Sequence, residues 1–159
     1  MDERIVINTG PVIALGKMGC LYLLEQLPYT FITPEPVKRE IDAGTLIGRP
    51  VEFPTFVEVV SLAEFPSKLT LLNLDLGEAA VIQAAIELNI ERVCIDEVKG
   101  RRAASASGLS VIGSLGLLGR AKQLGLTTEV RPLLQIAQEQ GSYYKAALVE
   151  QFLKEMGEG

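Results

Sequence analysis

The sequence predicts an α/β protein in which a central, mainly parallel sheet lies between two layers of helices. Apolar, β-branched runs alternate with helical patterns along the 159 residues, which is the order expected of repeated βαβ units. The first run, residues 5–8, ends in Asn8, and a Gly10-Pro11 turn then begins a helical pattern. Because sites in open sheets of this class form at the carboxyl ends of strands, Asn8 marks a candidate site.

Each element is predicted from hydrophobic periodicity and from the residues that begin or end helices. Strands are expected at residues 5–8, 29–32, 56–60, 92–96 and 109–112. Helices are expected at residues 11–17, 20–27, 34–42, 75–88, 99–107, 114–124, 131–139 and 146–156. Thr33 and Pro34 are predicted to be the N-cap and the first-turn proline of the third helix. The glycines, prolines and charges of residues 44–54 predict a loop.

Length and composition favour one globular domain, residues 1–159. Apolar residues make up 48% of the chain and the mean hydropathy is +0.27, which suits a packed core and argues against a disordered chain. The formal net charge is −5, and this excess of acids argues against broad, non-specific coating of nucleic acid. It remains compatible with an enzyme that gathers carboxylates in one cleft.

The cysteines and the apolar segments do not indicate an exported protein. Cys20 and Cys94 are too few for a disulfide framework, and Cys94 lies in an apolar run, so a buried free thiol in a reducing cytoplasm is expected. No basic, apolar and small-residue segment opens the chain, so we expect no secretion signal, and no apolar stretch is long enough to span a bilayer. We therefore expect a cytoplasmic protein without a membrane partner.

The chain contains no histidine. This absence removes Ser-His and Cys-His nucleophile pairs, imidazole bases and nearly every kind of catalytic zinc site. A metal ion would then be held by oxygen atoms, which points to Mg²⁺ or Mn²⁺.

Four polar residues are predicted to meet at one edge of the sheet. Asn8 and Asp96 each close an apolar strand, Glu78 lies in the first turn of a long helix, and Glu40 lies on the helix after the second strand. Clustered carboxylates repel one another unless a divalent cation lies among them, so these residues form a candidate metal site. Such a cation can activate water for phosphodiester hydrolysis, which makes all four candidate catalytic residues.

Each of the four also has a purely structural explanation. The Asp75-x-x-Glu78 spacing is close to a capping box, which alone would explain Glu78. Glu40 would lie on a solvated helix face. Asp96-Glu97 would cap the next helix, and Asn8 would hydrogen-bond its own turn. The metal hypothesis depends on the four residues in combination.

A basic run, Lys99, Arg101 and Arg102, follows Asp96 closely. Next to a carboxylate site these side chains would bind substrate phosphates, the arginines in bidentate fashion. The alternative is an ordinary positive helix face that pairs with nearby acids. The position beside a strand-end acid favours phosphate binding.

Two further patterns are predicted to serve packing. The glycines at 113, 116 and 119 do not have the spacing of a dinucleotide-binding loop, so close packing of their helix is expected. The aromatic residues Tyr143, Tyr144 and Phe152 are expected to pack in the core or at a dimer face.

Four segments together resemble one known family. They are residues 6–15 (VINTGPVIAL), 33–41 (TPEPVKREI), 74–80 (LDLGEAA) and 95–102 (IDEVKGRR), followed by the glycine-punctuated helix at 113–119. In this order they resemble PIN-domain proteins over nearly the whole chain, and within them a little-characterised branch similar to VapC-like toxin ribonucleases.

The resemblance implies a three-layer α/β/α fold with a central parallel sheet and an acidic quartet that binds Mg²⁺ or Mn²⁺ and cuts RNA. The quartet would be Asn8, Glu40, Glu78 and Asp96. Asn8 stands where the typical PIN domain has aspartate, and an amide oxygen ligates a hard cation without bringing charge. The lost attraction reaches a few kcal/mol at about 4 Å and an effective dielectric near 20, so weaker metal binding is expected.

The resemblance also implies partners. Relatives act as toxins paired with a small antitoxin protein, and they form dimers. A metal-dependent endoribonuclease of the toxin type is therefore the first hypothesis. Because Asn8 departs from the quartet, the second is a catalytically weakened PIN module that binds RNA or a protein partner without cutting.

Overall fold

A five-stranded, all-parallel sheet forms the centre of the protein. The computed structural model describes residues 3–46, 51–140 and 144–159. Its strands are β1 (Glu3–Ile7), β2 (Tyr29–Pro34), β3 (Glu58–Val60), β4 (Arg92–Cys94) and β5 (Ser110–Ile112). Their order in the sheet is β3-β2-β1-β4-β5, and every neighbouring pair is parallel. The predicted parallel sheet is confirmed.

The central strand β1 is buried because helices cover both faces of the sheet. Ile5, Val6 and Ile7 have no exposed surface, and a parallel strand covered on both sides requires such an unbroken apolar run. Ile7 pairs with Cys94 of β4. This register brings the ends of β1 and β4 to the same edge of the sheet.

Nine helices lie within the described ranges. They are α1 (Thr9–Lys17), α2 (Tyr22–Gln26), α3 (Glu35–Leu46), α4 (Lys68–Leu71), α5 (Leu76–Glu87), α6 (Val98–Ala106), α7 (Ser114–Gln123), α8 (Arg131–Glu139) and α9 (Ala146–Glu155). Helix α5 packs on β1, β2 and β4 with α6 beside it, whereas α1 and α2 pack with α7. Right-handed crossovers in opposite directions from the sheet centre place these groups on opposite faces, which gives the predicted three layers.

The predicted cap of the third helix is wrong. Thr33 and Pro34 are the last residues of β2, and α3 begins at Glu35, so that Pro36 is the proline of its first turn. The Thr33 hydroxyl donates 2.8 Å to the carbonyl of Ile7 on the neighbouring strand instead of capping a helix. A threonine before a proline suits either role, and pairing with β1 and β3 decides between them.

The connection between α3 and β3 lies later in the chain than predicted. Of the predicted loop 44–54, α3 includes residues up to Leu46, residues 51–54 have no regular structure, and residues 47–50 lie outside the described part. Strand β3 begins two residues later than predicted, at Glu58. The short helix α4 was not predicted; it is capped by the Ser67 hydroxyl, which accepts from the Thr70 N–H at 3.2 Å.

The glycines of α7 include a close-packing position, as predicted. A Cβ atom on Gly119 would lie 3.3 Å from the Phe152 ring and 3.5 Å from the Met156 side chain, so its absence lets α9 approach α7. Phe152 and Tyr144 are buried in the core, and Tyr143 lies outside the described residues. None of the helices in the described ranges has the length and apolarity needed to cross a bilayer.

Candidate functional site

The strand order reverses between β1 and β4, and Asn8 and Asp96 lie at that point. From β1 the chain continues to β2 and β3 on one side, whereas β4 and β5 occupy the other. Asn8 directly follows β1, its backbone N–H donates 3.0 Å to the Cys94 carbonyl, and Asp96 comes two residues after β4. Open α/β sheets bind ligands in the crevice at such a reversal, outside the carboxyl ends of the strands.

Three side-chain oxygens surround the open side of Gly77 in the first turn of α5. A Cβ atom there would lie 3.0 Å from Glu40 Oε2, 3.2 Å from Asn8 Oδ1 and 3.5 Å from Asp75 Oδ1. Glu40 comes from α3, so separate parts of the fold supply these oxygens. The Thr9 hydroxyl donates 3.0 Å to Glu40 Oε2 and fixes that side of the group. We call the three oxygens the Gly77 oxygen cluster.

Two buried oxygens have no hydrogen-bond donor among the described residues. They are Asn8 Oδ1 and Glu78 Oε2, on side chains only 7% and 5% exposed. A buried acceptor without a donor has lost its hydrogen bonds to water and gains none within the protein. This lowers the stability of the fold by about 1–3 kcal/mol. Glu78 Oε2 would lie 2.5 Å from a Cβ on Gly100 of α6, so this glycine makes room for the carboxylate. Such groups are typical of sites that bind a ligand.

The carboxyl group of Glu78 resists ionisation. Burial, followed by the hydrogen bond and charge of Asp75 and the charge of Glu97, raises its pKa from the usual 4.5 to about 7. Asp75 caps α5, since its Oδ1 accepts from the Glu78 N–H at 2.8 Å. The Asp75 backbone in turn hydrogen-bonds the Glu78 carboxyl group and partly offsets this rise in its pKa, as in the predicted capping box. The capping box therefore accounts for both residues in part, but it leaves Glu78 Oε2 buried and without a donor among the described residues.

Asp96 is held by the N-terminus of α7. Ser114 donates to it twice, from its N–H to Oδ1 and from its hydroxyl to Oδ2, both at 2.7 Å. Of the predicted alternative, in which Asp96-Glu97 caps the following helix, only the position is confirmed: Glu97 is the N-cap residue of α6 but makes no side-chain capping bond. β4–β5 pairing brings Ser114 next to Asp96, 18 residues away in sequence.

A buried tyrosine completes this contact. The Ser114 Oγ and the Tyr144 hydroxyl oxygen lie 2.6 Å apart. Because the Ser114 hydroxyl hydrogen is donated to Asp96, the Tyr144 hydroxyl is the donor in this second bond. Burial raises the pKa of Tyr144, which keeps it protonated and able to donate. Asp96 is thus oriented by a chain of hydrogen bonds that begins just before α9.

Replacing Ser114 with alanine is expected to destabilise the protein by about 1–3 kcal/mol, because two hydrogen bonds to buried or charged groups are lost. Ser110→Ala is the matched control, since Ser110 is exposed on β5. The free energy of unfolding from urea titrations of both variants measures the difference. Equal values for the two variants would contradict a role for the Ser114 hydroxyl in stability.

The sequence comparison supplies the family. Residues 4–158 match DUF3368, a family described as a PIN domain, so the match spans the sheet and both helical layers. The chain belongs to the PIN-domain family. Neither the curated proteins nor the solved structures searched gives a significant match.

The PIN domain is in general a nuclease fold, and PIN domains commonly bind RNA. Of the predicted quartet, the structure brings Asn8 and Glu40 together around Gly77, with Glu78 one residue further along α5. Asp96 lies at the same sheet edge, where its described contacts are with Ser114. The quartet therefore occupies one edge of this PIN domain, with its carboxylates held by different neighbours.

The basic run of this PIN domain divides into one structural and two exposed residues. Arg101 is half-buried, and its Nη1 donates 2.9 Å to the Ile95 carbonyl, which ties α6 to the end of β4. Lys99 and Arg102 are exposed and form no ion pair within the described ranges. The phosphate-binding hypothesis is thus better suited to Lys99 and Arg102 than to Arg101.

The side-chain oxygens at this edge are of the type that binds a hard cation, although they do not form a complete set of carboxylate ligands. No group of three or more histidine, cysteine, aspartate or glutamate side chains that could hold a metal ion occurs in the described part of the PIN domain. The Gly77 oxygen cluster contains two carboxylates and the Asn8 amide. All donors are oxygens, and the buried, unpartnered atoms Asn8 Oδ1 and Glu78 Oε2 fit Mg²⁺ or Mn²⁺.

Proposed function

We propose that this PIN domain is a metal-dependent endoribonuclease that hydrolyses phosphodiester bonds in RNA. The observation that carries the proposal is the pair of buried oxygens without donors, Asn8 Oδ1 and Glu78 Oε2, at the point where the strand order reverses. Structural residues at such positions would be expected to have donors, because an unpaired buried acceptor is costly. A bound divalent cation would provide the missing partner.

In this proposal Asn8, Glu40, Glu78 and Asp96 hold Mg²⁺ or Mn²⁺. The cation would lower the pKa of a bound water and stabilise charge on the phosphate. Ser114 orients the Asp96 carboxylate, and Thr9 orients that of Glu40. Glu78 must lose its proton to act as a ligand, so the affinity for the cation is expected to rise with pH through about 7.

Substrate binding is assigned to the basic run beside this edge. Lys99 and Arg102 extend from the first turns of α6, immediately after Asp96, and are free to bind phosphate oxygens in water. Arg101, whose Nη1 is bound to the Ile95 carbonyl, holds α6 in place and keeps other N–H donors for phosphate. The net charge of −5 restricts RNA binding to this local patch.

Cleavage of single-stranded RNA with and without Mn²⁺ tests the proposal. The wild-type protein is expected to cut in Mn²⁺ and to stop cutting in EDTA. Asp96→Asn and Glu40→Gln are each expected to reduce the rate by about 100-fold or more, since even outer-shell changes at metal sites cost 10–100-fold. Glu91→Gln removes a charge before the other end of β4 and should retain full activity. Equal rates in the wild type and Asp96→Asn would end the metal-ligand assignment.

The second candidate function is a PIN module that binds RNA or a protein partner without cutting. The amide at Asn8 favours it, because the quartet then carries one charge fewer. In that case Asn8→Asp should create or sharply raise Mn²⁺ binding in calorimetry. Tight Mn²⁺ binding by the unmodified protein would count against this function.

We further propose that the protein is cytoplasmic, that it is the toxin of a toxin–antitoxin pair and that it forms a homodimer. The resemblance to VapC-like toxins supports the toxin role and a small antitoxin partner.

Phe65, Leu69 and Leu72 are 68%, 75% and 78% exposed, and such apolar side chains around α4 suit a subunit interface. Light scattering of the wild type and of Leu69→Asp tests the dimer: the variant should be monomeric.

A further inference from the structure

Asp75 lies beside the amide that leaves the quartet one charge short. Its Oδ1 is 3.5 Å from the Cβ position of Gly77, on the same open side as Asn8 Oδ1 and Glu40 Oε2. Capping of α5 accounts for its bond to the Glu78 N–H. It does not account for the nearness of two further oxygens, from Asn8 just after β1 and from Glu40 of α3.

The Asn8 side chain independently indicates that a ligand belongs in this space. It is more than nine-tenths buried, and its Oδ1 has no donor in the described structure. That oxygen lies 3.2 Å from the Cβ position of Gly77, so it borders the space that Asp75 and Glu40 also border. An unpartnered amide oxygen between two carboxylates is an environment for a cation, because each group is an acceptor.

We propose that Asp75 supplies the negative charge that Asn8 lacks and is a further ligand of the divalent cation, within the Gly77 oxygen cluster. This inference rests on the proposed metal-dependent function. The cluster then carries two charges, from Glu40 and Asp75, around a neutral oxygen of Asn8. The same set of oxygens with aspartate at position 8 would carry three.

The capping role can be separated from the charge. Asparagine and serine cap helices about as well as aspartate does, so α5 has no need of a charge at position 75. Asp75→Asn keeps a capping oxygen and removes the charge. Its thermal stability without metal should be equal to or higher than that of the wild type, because the repulsion between the Asp75 and Glu78 carboxylates is removed, whereas its affinity for Mn²⁺ should fall about tenfold.

The experiment is a double-mutant cycle on the full chain, read by calorimetric titration with Mn²⁺ rather than by cleavage. Asn8→Asp is expected to strengthen Mn²⁺ binding, and Asn8→Asp combined with Asp75→Asn to return the affinity to near the wild-type value, because one charge replaces the other. Glu40→Gln is the reference for a lost ligand, and Glu91→Gln is the reference for a distant lost charge.

The outcomes distinguish a wrong role for Asp75 from a wrong metal-dependent function. If Asp75→Asn binds Mn²⁺ as tightly as the wild type while Glu40→Gln does not, the role of Asp75 is overturned and the metal site stands. If Mn²⁺ binds neither the wild type nor Asn8→Asp, the role of Asp75 and the metal-dependent function both fall. Loss of affinity in Asp75→Asn that Asn8→Asp restores supports the inference.

Discussion

Glu78→Gln is expected to stabilise the metal-free protein at pH 8 and to reduce RNA cleavage by 100-fold or more. The pKa of Glu78 is raised from 4.5 to about 7, first by burial and then by Asp75. A folded-state pKa above the unfolded value means that the folded form holds its proton more tightly. The free energy of unfolding therefore falls as pH rises from about 4.5 through 7, by on the order of 2 kcal/mol. Glutamine does not ionise, so the variant keeps this free energy of unfolding at pH 8. It also brings no negative charge to a cation.

Urea unfolding at pH 5 and pH 8 in EDTA measures the first effect, and the Mn²⁺-dependent cleavage rate measures the second. Glu87→Gln is the matched control in the same helix. Glu87 is exposed and its pKa is lowered, chiefly by the hydrogen bond from the Ala63 N–H, so its replacement should not stabilise the protein at pH 8. A wild-type free energy of unfolding that is the same at pH 5 as at pH 8 would contradict the raised pKa of Glu78.

Gly77→Ala is expected to abolish Mn²⁺ binding while leaving the fold intact. The new methyl group would occupy the space between Glu40 Oε2, Asn8 Oδ1 and Asp75 Oδ1, at 3.0–3.5 Å from each. The side-chain ends can move by a few tenths of an ångström, but a cation can no longer lie among them. Alanine is favoured over glycine in helices by up to about 1 kcal/mol, so the melting temperature should be unchanged or higher.

Calorimetry with Mn²⁺ and thermal melting test this variant together. Ala84→Gly is the reverse change in the same helix, at a buried position six residues beyond Glu78. It should lower the melting temperature and leave Mn²⁺ binding intact. Wild-type Mn²⁺ affinity in Gly77→Ala would show that the space beside Gly77 is not the cation site.

Much of the fold could be predicted because its signals are local. The unbroken apolar run of β1 indicates a strand covered on both faces, and Asp75 indicates the start of α5 by its capping pattern. The error at Thr33 has a physical origin: the same hydroxyl caps a helix or bonds a neighbouring strand, and the choice depends on β1, which is distant in sequence.

For the site, the sequence could predict which residues lie at one edge of the sheet, but not the contacts that their side chains make. The strand-end rule correctly indicated the sheet edge for Asn8 and Asp96. Ser114 was missed as a partner because its bond to Asp96 depends on β4–β5 pairing, although a serine at a helix start is a signal for a bond to an acid. Asp75 was assigned only to capping because the local pattern already explained it.

The hydrogen bond between Ser114 and Tyr144 can form only after the residues of the whole sheet have been synthesised. The last strand ends at Ile112, so the whole sheet can form before Tyr144 has left the ribosome. During that interval the Ser114 hydroxyl lacks the donor that it has in the folded protein, and the Asp96 carboxylate lacks its full support. A nascent chain with a complete sheet would therefore still have an unfinished site. The proposed activity would begin only when the segment that leads into α9 docks.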